Sequence, residues 1–158
     1  MVMLRNGFVS NSSSSSFLIY GADLDIDDFM ENFYALRDVI IKKLSKGTST
    51  DKEDAEWWQS IPDGMNSEEI RNYLEERDFD IFEFILEYVL ESIEESDEEL
   101  ETHNVDCEFF YIGKCPSEIG DYETGWEFKV NVKNRIKKLF PELDNKKFGF
   151  YEECWFNG

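Results

Sequence analysis

The chain has 158 residues, with 36 acidic against 16 basic side chains and a formal net charge of −20. An apolar content of 41%, including 14 Phe, seven Tyr and four Trp, excludes a disordered chain and supports one domain with a substantial core, roughly 70% of its extended surface being buried. The charge argues against nucleic acid or anionic membranes as direct partners and favours a protein partner with a basic surface.

No apolar run of signal-peptide or membrane-span length occurs, since Leu4, Arg5 and Asn6 lead at once into Gly7. Together with three cysteines in no tight spacing (Cys107, Cys115 and Cys154), this points to a reducing cytoplasm. Residues 1–16 contain a serine run, Ser12, Ser13, Ser14, Ser15 and Ser16, preceded by Ser10 and Asn11. Such a run cannot specify a packed core. It reads as a flexible arm, a modified tract or a strand edge available to a partner.

Phe17, Leu18, Ile19 and Tyr20, ended by Gly21, predict a first strand. From Asp25 to Lys46 the spacing predicts a helix with Phe29, Phe33, Leu36, Ile40 and Leu44 on one face and lysines at its C-terminal end. Asp23, Asp25 and Asp27 have the opening spacing of a calcium loop. Asp28 stands where that loop needs glycine and Tyr34 where it needs glutamate, so helix capping explains these aspartates better.

Residues 51–60 predict a short helix carrying Trp57 and Trp58. Adjacent tryptophans on a helix point about 100° apart, so both are fully buried only if the segment is covered on two sides; the pair reads either as core anchoring of a long connection or as a recognition surface, exposed tryptophans being frequent binding hot spots. Pro62, Asp63 and Gly64 form a turn, and Ser67 opens another short helix.

The next helix, about Ile81 to Glu101, has Phe82, Ile85 or Leu86, Val89 and Ile93 as a buried stripe. Glu83, Glu87, Glu91, Glu94, Glu95 and Glu98 line another side. Residues 67–108 hold 17 acidic side chains against only Arg71 and Arg77, so −15 of the total −20 falls there. Carboxylates at four-residue spacing rise about 6 Å per step, and such a rod can imitate a row of phosphates or simply face water.

His103, the single histidine, falls at a helix-to-strand junction and reads as exposed. Cys107 to Ile112 predicts a second strand. Thr124 and Glu127 form a capping box opening a helix that buries Phe128, Val132 and Ile136 and carries Lys129, Lys133 and Lys137 opposite. Phe148 to Phe156 predicts a last strand. The expected fold is an α+β single domain, its small sheet of about three strands packed by several helices.

Chemistry-bearing motifs are sparse. No phosphate-cradling loop, nucleophile elbow or paired-cysteine zinc pattern is present, so no catalytic residue, metal or cofactor is assigned. Glu118, Asp121, Glu123, Glu152 and Glu153 are the carboxylates that could converge on a divalent ion, which leaves a metal-dependent enzyme as the alternative reading.

The stretch "RNGFVSNSSSSSF", with "YIGKCPSEIGDYETGWEFK" and the ending "YEECWFNG", resembles a group of small bacteriophage and bacterial proteins without characterised activity. The resemblance covers about a quarter of the chain and implies phage or mobile-element origin. It carries over no catalytic residue. The leading expectation is a non-enzymatic interaction protein that modulates a host protein, including a defence or nucleic-acid-binding system, by DNA mimicry. A virion component is a further reading.

Overall fold

A computed structural model describes residues 16–104 and 109–154; the serines Ser12, Ser13 and Ser14 and the cysteine Cys107 lie outside these described residues. The fold is α+β. Strand β1 (Ser16–Leu24) is followed by helices α1 (Ile26–Glu31), α2 (Phe33–Leu44), α3 (Ser49–Ser60) and α4 (Ser67–Glu75). A continuous rod comes next, made of α5 (Ile81–Phe84), a π-helical segment (Ile85–Leu90) and α6 (Glu91–Ser96). Strands β2 (Glu101–Asn104) and β3 (Phe110–Lys114), helix α7 (Gly125–Leu139) and strand β4 (Phe148–Cys154) complete the domain.

The sheet has four strands in the order β2-β3-β1-β4, all antiparallel, which corrects the expectation of three. The extra strand is β2, whose sequence Glu-Thr-His-Asn lacks the alternation that marks a strand. It pairs Thr102 with Ile112 and His103 with Tyr111. The expected helix to Glu101 therefore stops at Ser96.

One face of the sheet, carrying Ala22, Leu24, Phe110 and Ile112, packs into the helices. Phe29 meets Phe110 and Phe140 edge-on at 5.2 and 5.4 Å between ring centroids, and α7 adds Phe128, Val132 and Ile136. The stripe expected on one long helix is split between α1 and α2 at Asn32. Its buried amide donates to the Asp28 carbonyl (2.8 Å) and accepts from the Glu142 backbone N–H (2.9 Å), so the break ties the N-terminal helices to the segment after α7.

Helix starts follow the local chemistry. Asp25, Thr48, Asn66 and Thr124 each cap a helix and receive a reciprocal bond from the third helical residue, Asp28, Asp51, Glu69 and Glu127. Helix α4 closes in a Schellman turn: the Phe79 N–H reaches the Leu74 carbonyl and the Asp78 N–H that of Glu75, with Asp78 at φ 59°. That turn swings Phe79 toward α3.

Candidate functional site

The six glutamates expected to line one side of the helix divide into Glu91, Glu94 and Glu95, whose carboxylates meet partners, and Glu83, Glu87 and Glu98, whose carboxylates meet none among the described residues. Glu91 and Glu95 both meet Lys43 of α2, at 3.0 and 3.4 Å, beside a cleft of about 440 Å³ lined also by Lys42, Lys46 and Asp51. Glu94 turns inward and accepts from the Thr102 N–H (3.1 Å) and hydroxyl (2.7 Å), fastening the rod to β2. Glu98 is exposed, but in the turn beyond α6 rather than on a helix. Beside it Asp97 accepts twice from Arg135 at 2.9 Å, and Glu99 pairs with Lys114 and Arg135.

Glu83 and Glu87 are exposed and meet no cation among the described residues. The π-helical segment takes more residues per turn than an α-helix, so steps of four no longer return to one line across it. Glu87 consequently faces water while Glu91 faces α2. The uniform row read from the sequence becomes a neutralised end near α2 and an open end near α3.

At the open end the tryptophans also part. Trp58 is 1% exposed, packed against Phe33, Phe84 and Tyr88, and offers no surface to a partner. Trp57 is half-buried, 4.9 Å from Phe79 between ring centroids. Around this pair stand Asp54, Asp78, Asp80, Glu83 and Glu87, all exposed and none ion-paired among the described residues. Burial, then the charges of Glu87 and Asp54, push the Tyr88 phenol up, which places both carboxylates in the same local field.

The opposite face of the sheet holds a second cluster, which the sequence did not disclose. Gly21 stands in register with Gly113 on one side and Gly149 on the other. A Cβ on Gly21 would lie 1.9 Å from the Ile112 carbonyl oxygen, and one on Gly113 2.4 Å from that of Tyr20, so β1 and β3 approach more closely than any side chain allows. The sheet folds at this row. Phe17 lies six residues along β1 from Asp23, the partner of Tyr111, about 20 Å in a flat strand. Yet its ring stacks on His103 at 4.1 Å and 9° from parallel.

His103 is therefore half-buried rather than exposed, with Glu101 3.2 Å from its Nε2. Tyr111 and Tyr151 lie 5.0 Å apart, and the Tyr151 hydroxyl is within hydrogen-bond distance of Asp23 and the Lys147 carbonyl. Burial, reinforced by the Asp23 charge, pushes that phenol up to about 12.

The carboxylates proposed for a metal do not come together in the described part of the chain. Glu118, Asp121 and Glu152 are exposed; Glu123 bonds the Gly120 N–H across a tight turn. Among the described residues no group of three or more His, Cys, Asp or Glu is placed to hold a metal ion. The Cys115 sulfur contacts the Ser117 hydroxyl at 2.9 Å. No helix among these residues is long and apolar enough to cross a membrane.

Fold and surface together define an acidic α+β domain with a carboxylate-rimmed aromatic patch. No family model, curated protein or solved structure matches the chain.

Proposed function

We propose that the protein is a non-enzymatic interaction module that binds a basic protein surface through the patch centred on Trp57 and Phe79. The observation that carries this reading is the cluster of five carboxylates that meet no cation among the described residues, Asp54, Asp78, Asp80, Glu83 and Glu87, around two half-buried rings. Farther along, Lys43 meets Glu91 and Glu95, Thr102 meets Glu94, and Lys114 and Arg135 meet Asp97 and Glu99, with Glu98, exposed between them, meeting none of these. Here only Asp80 is engaged, accepting from the Glu83 N–H at 3.0 Å as the cap of α5, and the other four face solvent. A charged rim around a rigid aromatic anchor suits steering followed by desolvated contact.

DNA mimicry is the narrower version of this reading. The π-helical break and the Lys43 pairs favour a compact acidic patch over a long phosphate-like row. The likeness of "GFVSNSSSSSF" to phage proteins supports a phage origin, with a host protein as target.

The test is a tagged pull-down from host lysate at low and high salt, read by mass spectrometry. It is repeated with Glu83→Lys/Glu87→Lys and with Trp57→Ala. A stoichiometric partner lost at high salt, and weakened about tenfold or more by either variant, supports the reading. Affinity unchanged in both variants rejects it.

A further inference from the structure

The edge of the sheet formed by β4 carries features that neither the acidic patch nor the core accounts for. Strand β4 is seven residues long and ends the strand order; among the described residues nothing pairs with its outer side. It contains neither proline nor lysine, two of the devices that keep edges from pairing. On the helix side of this edge Phe150 is 54% exposed and Leu18, on the neighbouring strand, 46%, while Trp126 in the first turn of α7 is 72% exposed.

Two lysines of α7 complete the patch. The Lys129 ammonium lies 4.9 Å from the centre of the Phe150 ring, and that of Lys133 lies 5.3 Å from Phe148. Neither forms an ion pair among the described residues, in a chain where acids outnumber bases 36 to 16. They are cations over an apolar edge, without an anion.

We propose that the chain self-associates at this edge, a second copy adding its β4 antiparallel to the first across a two-fold axis. A two-fold that keeps the helices of both copies on one side of the joined sheet must pair even-numbered residues of β4 with even-numbered ones, because opposed residues share a face. If Phe150 pairs with its own counterpart, the second copy's Glu152 falls opposite Phe148, beneath Lys133. If Tyr151 pairs with its own counterpart, that Glu152 falls opposite Phe150, beneath Lys129. Either central register supplies the missing anion, twice, by symmetry.

Packing and charge agree with this arrangement. Helix α7 packs against β1, through Phe128 and Tyr20, and against β3, so the two α7 helices stand at least three strand spacings apart, about 14 Å or more. Helices with side chains are about 10–12 Å across, so the two α7 helices clear one another above the joined sheet. The acidic rod runs from Ser96 into β2, at the opposite edge of the sheet, so the two chains meet far along the strand order from it. One strand pair with its flanking side chains is a small contact, below the about 800 Å² per copy of a standard stable interface, so association is expected at micromolar concentration or above.

Sedimentation equilibrium of the full chain, from micromolar to near-millimolar concentration, tests the proposal. The apparent mass is expected to rise from 18.7 kDa toward twice that value. Phe150→Lys and Glu152→Lys should each weaken association by about tenfold or more while leaving the melting temperature of the monomer unchanged. Lys129→Glu/Lys133→Glu should weaken it likewise, and combining all three charge changes should restore it, a recovery that only pairing of the edge with itself produces. A mass fixed at 18.7 kDa, association indifferent to Phe150→Lys and Glu152→Lys, or loss without recovery in the combined variant would overturn it.

Discussion

The ammonium of Lys147 bonds the carboxylates of both Asp25, at 3.0 Å, and Asp28, joining the segment before β4 to the first turn of α1 across nearly the whole chain. Asp28 is buried while Lys147 is about a quarter exposed. The same two aspartates form the capping box of α1, so one lysine holds a helix start that is already hydrogen-bonded to itself.

Lys147→Met is expected to cost about 2–4 kcal/mol, toward the lower end of what breaking a buried pair costs because the lysine is partly solvated. Asp28→Asn in that background should recover part of it by removing the stranded charge. Burial pulls the Lys147 ammonium down, but its bonds and attraction to Asp28 and Asp25 outweigh this and hold it above its ordinary 10.5. Its stabilisation is therefore complete below 10.5 and lost as pH climbs through the raised native value. Tyr151, raised from 10.0 to about 12, acts in the same direction between those values. Urea melts from pH 7 to pH 12 should show wild-type stability declining above pH 10, and less steeply in Lys147→Met.

The three glycines in register predict unequal tolerance. Gly21→Ala places a methyl 1.9 Å from a backbone oxygen in the central strand, where no side chain can move aside. The expected loss exceeds about 3 kcal/mol, in the range where point changes unfold a domain of this size. Gly149→Ala meets only the Tyr151 ring and hydroxyl, the nearest atom at 3.6 Å, and should stay within about 1 kcal/mol. Thermal unfolding by circular dichroism separates the two. Equal sensitivity would mean that the crease between β1 and β3 is not what brings Phe17 onto His103.

How far the sequence discloses this molecule depends on where each feature's cause lies. Helix α7 was legible because its cap, Thr124 with Glu127, and its buried stripe, Phe128, Val132 and Ile136, are local. Strand β2 was not, because Glu-Thr-His-Asn pairs only when β3 offers an edge. The two tryptophans were legible as a pair but not individually: Trp58 is buried by Phe33 and Phe84 from other helices, which no spacing reveals. The aromatic cluster on the outer face went unseen for the same reason. Its members, Phe17, His103, Tyr111 and Tyr151, come from four strands and meet only where the glycines crease the sheet.

The glutamates of the acidic rod make the distinction measurable. Glu94 is the acceptor for a buried backbone N–H and the hydroxyl of Thr102, so Glu94→Ala leaves two donors short of a partner and is expected to cost about 1–3 kcal/mol. Glu87 touches no donor among the described residues and adds to local repulsion beside Asp54 and Tyr88; Glu87→Ala should move stability by no more than about 0.5 kcal/mol. Urea unfolding monitored by tryptophan fluorescence compares the two at constant slope. If Glu94→Ala proves as mild as Glu87→Ala, the Thr102 contact does not anchor the rod, and Glu94 returns to the set of carboxylates free to meet a partner. If the difference appears, a binding defect in Glu94 variants reflects a loosened rod, whereas one in Glu83 or Glu87 variants reports on the surface itself.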